Sequence, residues 1–293
     1  MENVKENYFT ANGIDLCYFE WGQQYQHTGQ TLLFVHANGF HARVWDSVIR
    51  GMPGFHIIAV DLRGHGRSEQ TPIEHWNVFA EDLSALITEL DLQDITGVGH
   101  SLGGHVLTEA AASHEERFRH LILIDPAIIA PDDYNKPSSS AAIESPEHHP
   151  AARRRDRFDT PEAMIERFKD REPYSLFTTE SFENYCRYGL LKDDEGYRLA
   201  CHPVTEASVY MASRSNEYIY NYIRQLELPV LIMRAMEPTK DNPREQYSSS
   251  PTFTGLVNEF RHAREIHYAD KTHFLPMEIP VEISQRINEF IQP

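Results

Sequence analysis

Cysteine is scarce: Cys17, Cys186 and Cys201 are the only three in 293 residues. They are too few and too scattered for a disulfide framework or a zinc site, and an odd count leaves at least one thiol unpaired, which suits a reducing compartment. Long apolar runs are missing as well. No stretch approaches the roughly eighteen apolar residues that a membrane span needs. The opening MENVKENYFT lacks an apolar signal core and NEFIQP is not a recognised address, so the expected location is cytoplasmic. Basic charge is short too, with 27 Lys and Arg against 44 Asp and Glu. The resulting charge of -17 repels phosphate backbones and anionic headgroups, so no nucleic-acid partner is expected. No Gly-rich phosphate loop follows the first strand and no His/Cys/Asp/Glu set has ligand spacing. The sequence therefore predicts neither cofactor nor metal.

What is present is a core-forming chain, 41% hydrophobic, long enough for one large α/β domain. Its first third alternates strand-like and helix-like segments, the pattern of a mainly parallel sheet with helices on both faces. The strand candidates are GIDLCYFEWG, Thr31–His36, His56–Asp61, Ile95–His100 and His120–Asp125. Between them the best-marked helix follows Thr71-Pro72-Ile73-Glu74, which reads as a capping box with Pro at the first helical position. Its apolar residues Trp76, Phe79, Leu83, Leu86, Ile87 and Leu90 recur at helical spacing. From 127 to 228 the strand rhythm stops, and helix-like stretches such as EAMIERF and ASVYMASRSNEYIYNYIRQL replace it. Strands resume at Pro229–Arg234 and Arg264–Ala269, and VEISQRINEFI closes the chain. The expected organisation is a core of residues 1–126 and 229–293 interrupted by a helical cap at 127–228.

The chemistry-bearing motif is Gly99-His100-Ser101-Leu102-Gly103-Gly104, between a strand and a helix that begins LGGHVLTEAAA. That is the setting of a nucleophile elbow. The tight turn forces the serine into a strained conformation, so the residues two before and two after it must be small, as Gly99 and Gly103 are. The turn lifts the Ser101 hydroxyl above the sheet. It also sets the Leu102 N–H at a helix N-terminus, where it can stabilise an oxyanion.

With this elbow the chain resembles the α/β-hydrolase superfamily, and three further landmarks follow in the family's order. They are His36-Ala37-Asn38-Gly39-Phe40, the loop Asp61-Leu62-Arg63-Gly64-His65-Gly66-Arg67-Ser68, and Thr272-His273-Phe274-Leu275-Pro276. The resemblance implies an eight-stranded α/β-hydrolase sheet with an inserted cap, Asn38 as second oxyanion donor, and the Asp61 to Ser68 segment as an ordered loop. It also implies His273 as general base, because the family keeps that histidine between the last strand and the terminal helix. His267 falls inside the strand and lacks the freedom to lean over the elbow. His36, His100 and His105 read as packing or pocket-lining groups, and His148-His149 as a solvated pair. Family members carry the acid of the triad after either the sixth or the seventh strand. Asp125 answers to the first position and is the leading choice. Glu237, then Asp241, answer to the second, where the usual Gly-x-x-Asp turn is missing.

A serine at the elbow excludes the alkyl-enzyme ester chemistry of aspartate-nucleophile relatives and leaves acyl transfer. The cap region carries nine of the fourteen tyrosines, which suits a pocket wall that is apolar with polar tips. Arg153-Arg154-Arg155 with Arg157 reads first as a solvated helix face. The expected function is hydrolysis of a small or medium apolar ester, thioester or lactone through an acyl-enzyme. A carbon–carbon hydrolase of the meta-cleavage type and a ligand receptor on the same fold are the alternatives. A cofactor-free haloperoxidase ranks below both, because such enzymes usually differ at the elbow.

Overall fold

In the computed structural model, which describes residues 4–27, 29–138, 140–239 and 248–292, eight strands form one sheet. They are β1 (Lys5–Ala11), β2 (Ile14–Trp21), β3 (Thr31–Val35), β4 (His56–Val60), β5 (Ile95–His100), β6 (Phe118–Ile124), β10 (Val230–Arg234) and β11 (Ala263–His267). Their spatial order is β1-β2-β4-β3-β5-β6-β10-β11. β2 runs antiparallel to both neighbours, and every other pairing is parallel. Parallel strands must be covered on both faces, and alternate residues here feed two separate cores. Leu32, Phe34, Ile122, Ile124, Leu231 and Met233 point to one, Leu33, Val35, Leu121, Leu123, Val230 and Ile232 to the other. The first is covered by α1 (Asp46–Ile49), α9 (Leu275–Glu278) and α10 (Pro280–Ile291), the second by α2 (Asn77–Glu89), α3 (Leu102–Ser113) and α8 (Ile219–Gln225).

β1 escaped the sequence reading because it is only half-buried and has no apolar run. α2 begins later than the capping box predicts, with Trp76 preceding it and no side-chain cap. The reason is tertiary competition. The Ile73 and Trp76 amides donate to Ser208 Oγ (3.1 Å) and Ser215 Oγ (3.0 Å), and the Trp76 indole donates to the Val209 carbonyl (2.9 Å), so residues 71–76 strap the sheet domain to the later segment.

That later segment is less uniformly helical than expected. It holds α4 (Pro131–Tyr134), α5 (Pro161–Phe168), α6 (Thr179–Tyr188) and α7 (Pro203–Met211), but also a three-stranded antiparallel sheet. Its strands are β7 (Arg157–Phe158), β8 (Leu190–Asp193) and β9 (Gly196–Leu199), in the order β7-β9-β8. The run ASVYMASRSNEYIYNYIRQL is split between α7 and α8, and α8 packs on α3 as part of the sheet's covering layer. The expected helix face is not formed: Arg153 closes a short 3-10 turn (Pro150–Arg153), Arg154 and Arg155 follow it outside any helix, and Arg157 lies in β7. No helix among the described residues is long and apolar enough to cross a membrane.

Candidate active site

Ser101 stands between β5 and α3 with φ 54° and ψ -117°, a backbone conformation that costs a non-glycine residue about 1–3 kcal/mol. The surroundings hold it there. Its N–H donates to the Ile124 carbonyl (3.0 Å), and its own carbonyl accepts from Ala127 (2.9 Å). The flanking glycines are required by contact: a Cβ on Gly99 would lie 2.5 Å from the Gly103 carbonyl oxygen, and one on Gly103 2.1 Å from that of Val35. Leu102 opens α3, where first-turn amides have no acceptor within the helix.

β3 pairs with β5, with Val35 opposite Gly99, so the turn after β3 arrives beside the elbow. In that turn the Phe40 N–H donates to the Ala37 carbonyl (3.2 Å), and Gly39 takes φ 77°. Asn38 is fixed by its side chain, whose amide donates to the Glu206 carbonyl (3.1 Å) while its oxygen lies 3.1 Å from His65 Nε2. His36 is structural: its Nδ1 pairs with the Ala37 carbonyl and its Nε2 accepts from the Leu62 amide.

Asp125 directly follows β6 with φ 45° and is wholly buried. Its Oδ2 lies 2.6 Å from His273 Nδ1. Oδ1 accepts from the Ala235 amide (2.9 Å), Ser250 Oγ (2.5 Å) and Thr252 Oγ1 (3.2 Å). A carboxylate so surrounded by donors has one orientation, and the fourth donor is the imidazole. His273 is anchored through its backbone as well. Its N–H donates to the Ser248 carbonyl (2.9 Å), and its carbonyl accepts from His100 Nε2 (2.7 Å). Burial holds the His100 pKa well below its usual value, so that ring is a neutral donor with its hydrogen on Nε2.

The remaining candidates fall elsewhere. His267 is exposed at the end of β11. Glu237 is 53% exposed and pairs with Arg234 (3.1 Å), which removes it from the imidazole. Asp241 lies outside the described residues. Ser250 and Thr252 are the residues that sequence reasoning missed; the SSS run at 248–250 read only as a loop, and nothing local to it points to Asp125. His149 is a correction, because it is buried, accepts from the Ala151 amide and stacks on Tyr210. Among the described residues no group of three or more His, Cys, Asp or Glu side chains could hold a metal ion.

In the loop after β4, Asp61 accepts from the Ala42 (2.6 Å) and Arg67 (2.8 Å) amides, and Arg63 grips Asp82 through two hydrogen bonds of 2.6 Å. These contacts are structural. The Phe40 ring lies 5.9 Å from Phe274 and 5.1 Å from Tyr185, so an aromatic wall starts beside His273 and runs outward.

Over 134 residues the chain is 34% identical to a non-heme chloroperoxidase of Kitasatospora aureofaciens, a match spanning 43% of this chain and 46% of that protein. It is 33% identical over 130 residues to the lipase LipV of Mycobacterium tuberculosis, spanning 43% and 49%. The chain thus spans less than half the length of these curated relatives. A solved E-2-(acetamidomethylene)succinate hydrolase superposes with a TM-score of 0.73 over 99% of both chains at 21% identity, a likeness of fold. A family model described as the alpha/beta hydrolase fold matches residues 30–280. With most of its length matched to that model, the chain belongs to the alpha/beta hydrolase fold family.

Proposed function

We propose that the chain is a serine hydrolase that cleaves carboxylic esters, thioesters or lactones through an acyl-enzyme. Ser101 is the nucleophile, His273 the general base and Asp125 the acid that orients it. The observation carrying this reading is the 2.6 Å contact between Asp125 and His273 Nδ1. A carboxylate there keeps the hydrogen on Nδ1, leaving the Nε2 lone pair to take the Ser101 proton as Oγ attacks the ester carbonyl. The N–H groups of Leu102 and Asn38 receive the charge that develops on the carbonyl oxygen. His273 returns the proton to the leaving alcohol, and water repeats the sequence on the acyl-enzyme. Residues 127–228 supply the cap, apart from α8, which lies against α3. Three buried, unpaired thiols fit a cytoplasmic setting.

The test pairs two measurements on wild type and Ser101→Ala: labelling by a fluorophosphonate, and turnover of p-nitrophenyl esters of increasing chain length. Labelling and turnover confined to wild type are expected. Labelling that survives in Ser101→Ala would overturn the nucleophile assignment, and stoichiometric binding without turnover would favour a receptor.

The chloroperoxidase relative motivates a second reading. In it, hydrogen peroxide takes the place of water, accepts the acyl group from Ser101 and leaves as a peracid. Peracid release that outpaces acid release on adding peroxide would establish it.

A further inference from the structure

The two oxyanion donors are held by different parts of the chain. Leu102 belongs to the sheet domain: it opens α3, and the next residue, Gly103, sits so close to β3 that a Cβ would lie 2.1 Å from the Val35 carbonyl oxygen and 2.8 Å from that of His36. Asn38 stands beyond β3, in a turn that is neither helix nor strand. Among the described residues neither N–H has an acceptor, so each is free to donate to a bound oxygen. The bond that closes the turn, from the Phe40 N–H to the Ala37 carbonyl, sets its shape but not its tilt toward Ser101. Tilt matters, because a group displaced by about 1 Å at a reacting centre forfeits a factor of roughly 10² in rate.

Glu206, in the first turn of α7, meets this turn twice. Its backbone carbonyl accepts from the Asn38 side-chain amide (3.1 Å). Its carboxylate lies against Gly39, where a Cβ would come within 2.9 Å of Oε1. A buried carboxylate needs a counter-charge. Arg154 supplies it: alone among Arg153, Arg154, Arg155 and Arg157 it turns inward, pairing with Glu206 through Nη1 and donating through Nη2 to the Tyr185 hydroxyl (2.9 Å). α7 is in turn keyed to the sheet domain. Thr205 packs on Gly64, where a Cβ would lie 2.5 Å from its Cγ2. Ser208 Oγ accepts from the Ile73 amide, and the Val209 carbonyl accepts from the Trp76 indole. Just ahead of α7, the Gln70 side-chain amide donates to the Ala200 carbonyl (2.9 Å).

We propose that Glu206 is a positioning residue for the oxyanion hole: seated by Arg154, it holds the turn so that the Asn38 N–H points at the developing oxyanion. The insertion thereby completes a hole of which the sheet domain alone supplies only the Leu102 half. The oxyanion role of Asn38 rests on the serine-hydrolase reading above; the hold of α7 on the turn does not. A protein with α7 displaced keeps its nucleophile, base and acid but meets the oxyanion with one donor.

Two ketones test it. Addition of Ser101 Oγ to 1,1,1-trifluoroheptan-2-one gives a hemiketal oxyanion that reads the hole, whereas heptan-2-one binds without that addition and reads the pocket. Both dissociation constants are measured on wild type, Asn38→Ala, Glu206→Ala and Glu206→Gln, with the hemiketal followed by fluorine NMR. Asn38→Ala keeps the backbone donor and loses the tie to Glu206; Glu206→Ala removes the contact with Gly39; Glu206→Gln restores that contact and still accepts from Arg154. We expect each alanine variant to bind the trifluoromethyl ketone about tenfold more weakly, less than the roughly 10²–10³-fold of losing an oxyanion donor outright. In both, kcat should fall in step while heptan-2-one binding stays within about twofold of wild type, and Glu206→Gln should stay within about threefold of wild type for either ketone. Unchanged trifluoromethyl ketone binding in either alanine variant overturns the proposal, as do equal losses for both ketones or a loss in Glu206→Gln as large as in Glu206→Ala. If wild type forms no hemiketal, the serine-hydrolase reading fails, and hydrogen exchange of the Phe40 amide decides the rest: faster exchange in Glu206→Ala upholds the hold of α7 on the turn, and unchanged exchange overturns it.

Discussion

Asp61 and Asp125 directly follow β4 and β6, and both are wholly buried, yet their surroundings set them to different work. Among the described residues Asp61 receives only backbone amides, those of Ala42 and Arg67. Burial raises its pKa to about 6 against the pull of those amides. Asp125 receives one amide, two hydroxyls and the His273 ring. A carboxylate satisfied by backbone pins a loop. One whose last donor is a titratable ring can tune that ring. The identity of the donors, not the depth of burial, separates an anchor from a candidate catalytic group.

The sharpest way to break this comparison is to make the same substitution at both sites. Asp125→Asn keeps the volume but presents an amide to Nδ1, which favours the wrong imidazole tautomer; turnover should fall about 10⁴-fold in a protein whose thermal midpoint stays close to wild type. Glu237→Gln, in an exposed ion pair, should change turnover less than about twofold. If the two results exchange, the acid belongs after β10.

Asp61→Asn should do the opposite. Its amide oxygen serves one of the two backbone donors while its NH₂ faces the other, at a cost of about 1–3 kcal/mol and several degrees in thermal midpoint. The folded fraction should keep turnover within about threefold, measured below the new midpoint. A loss of turnover comparable to that of Asp125→Asn would show that the anchor also shapes the site.

Glu109 on α3 sharpens the comparison from the other side, because it is buried with Oε2 unpartnered among the described residues and His105 Nε2 3.8 Å away, too far for a hydrogen bond. Burial raises its pKa to about 7 from an ordinary 4.5. A carboxyl whose folded pKa lies above its unfolded value favours folding most at low pH and loses that advantage as pH climbs to about 7. Glu109→Gln should therefore match wild type near pH 4 and exceed its stability by about 3 kcal/mol at pH 8, in denaturant melts at both pH values. Equal stability at both would mean that Glu109 has a compensating partner when ionised.

The core strands were legible in the sequence because parallel strands buried on both faces carry continuous apolar runs, as Leu32–Val35 and Leu121–Ile124 do. The elbow was legible because Gly99 and Gly103 answer a contact local to the chain. The capping box failed for the converse reason, since Ser208 and Ser215 reach Ile73 and Trp76 from far along the sequence. Arg154 could not be told from its exposed neighbours, because its inward turn depends on Glu206. The ranking of Asp125 over Glu237 came from strand position and family resemblance; the hydroxyls that fix its orientation arrive from Ser250 and Thr252, more than a hundred residues away.

The 148 residues that separate Asp125 from His273 also set an order of events during synthesis. The chain emerges with Ser101 and Asp125 first. At the 5–20 residues per second of translation, roughly 7–30 s pass before the imidazole follows. Through that interval the elbow can be built, with Gly99 seated on Gly103, while the serine has no base to activate it. On the proposed mechanism, Ser101 of the nascent chain is a chemically silent nucleophile, and reactivity switches on only when β11 and the loop after it join the sheet and bring His273 to Asp125.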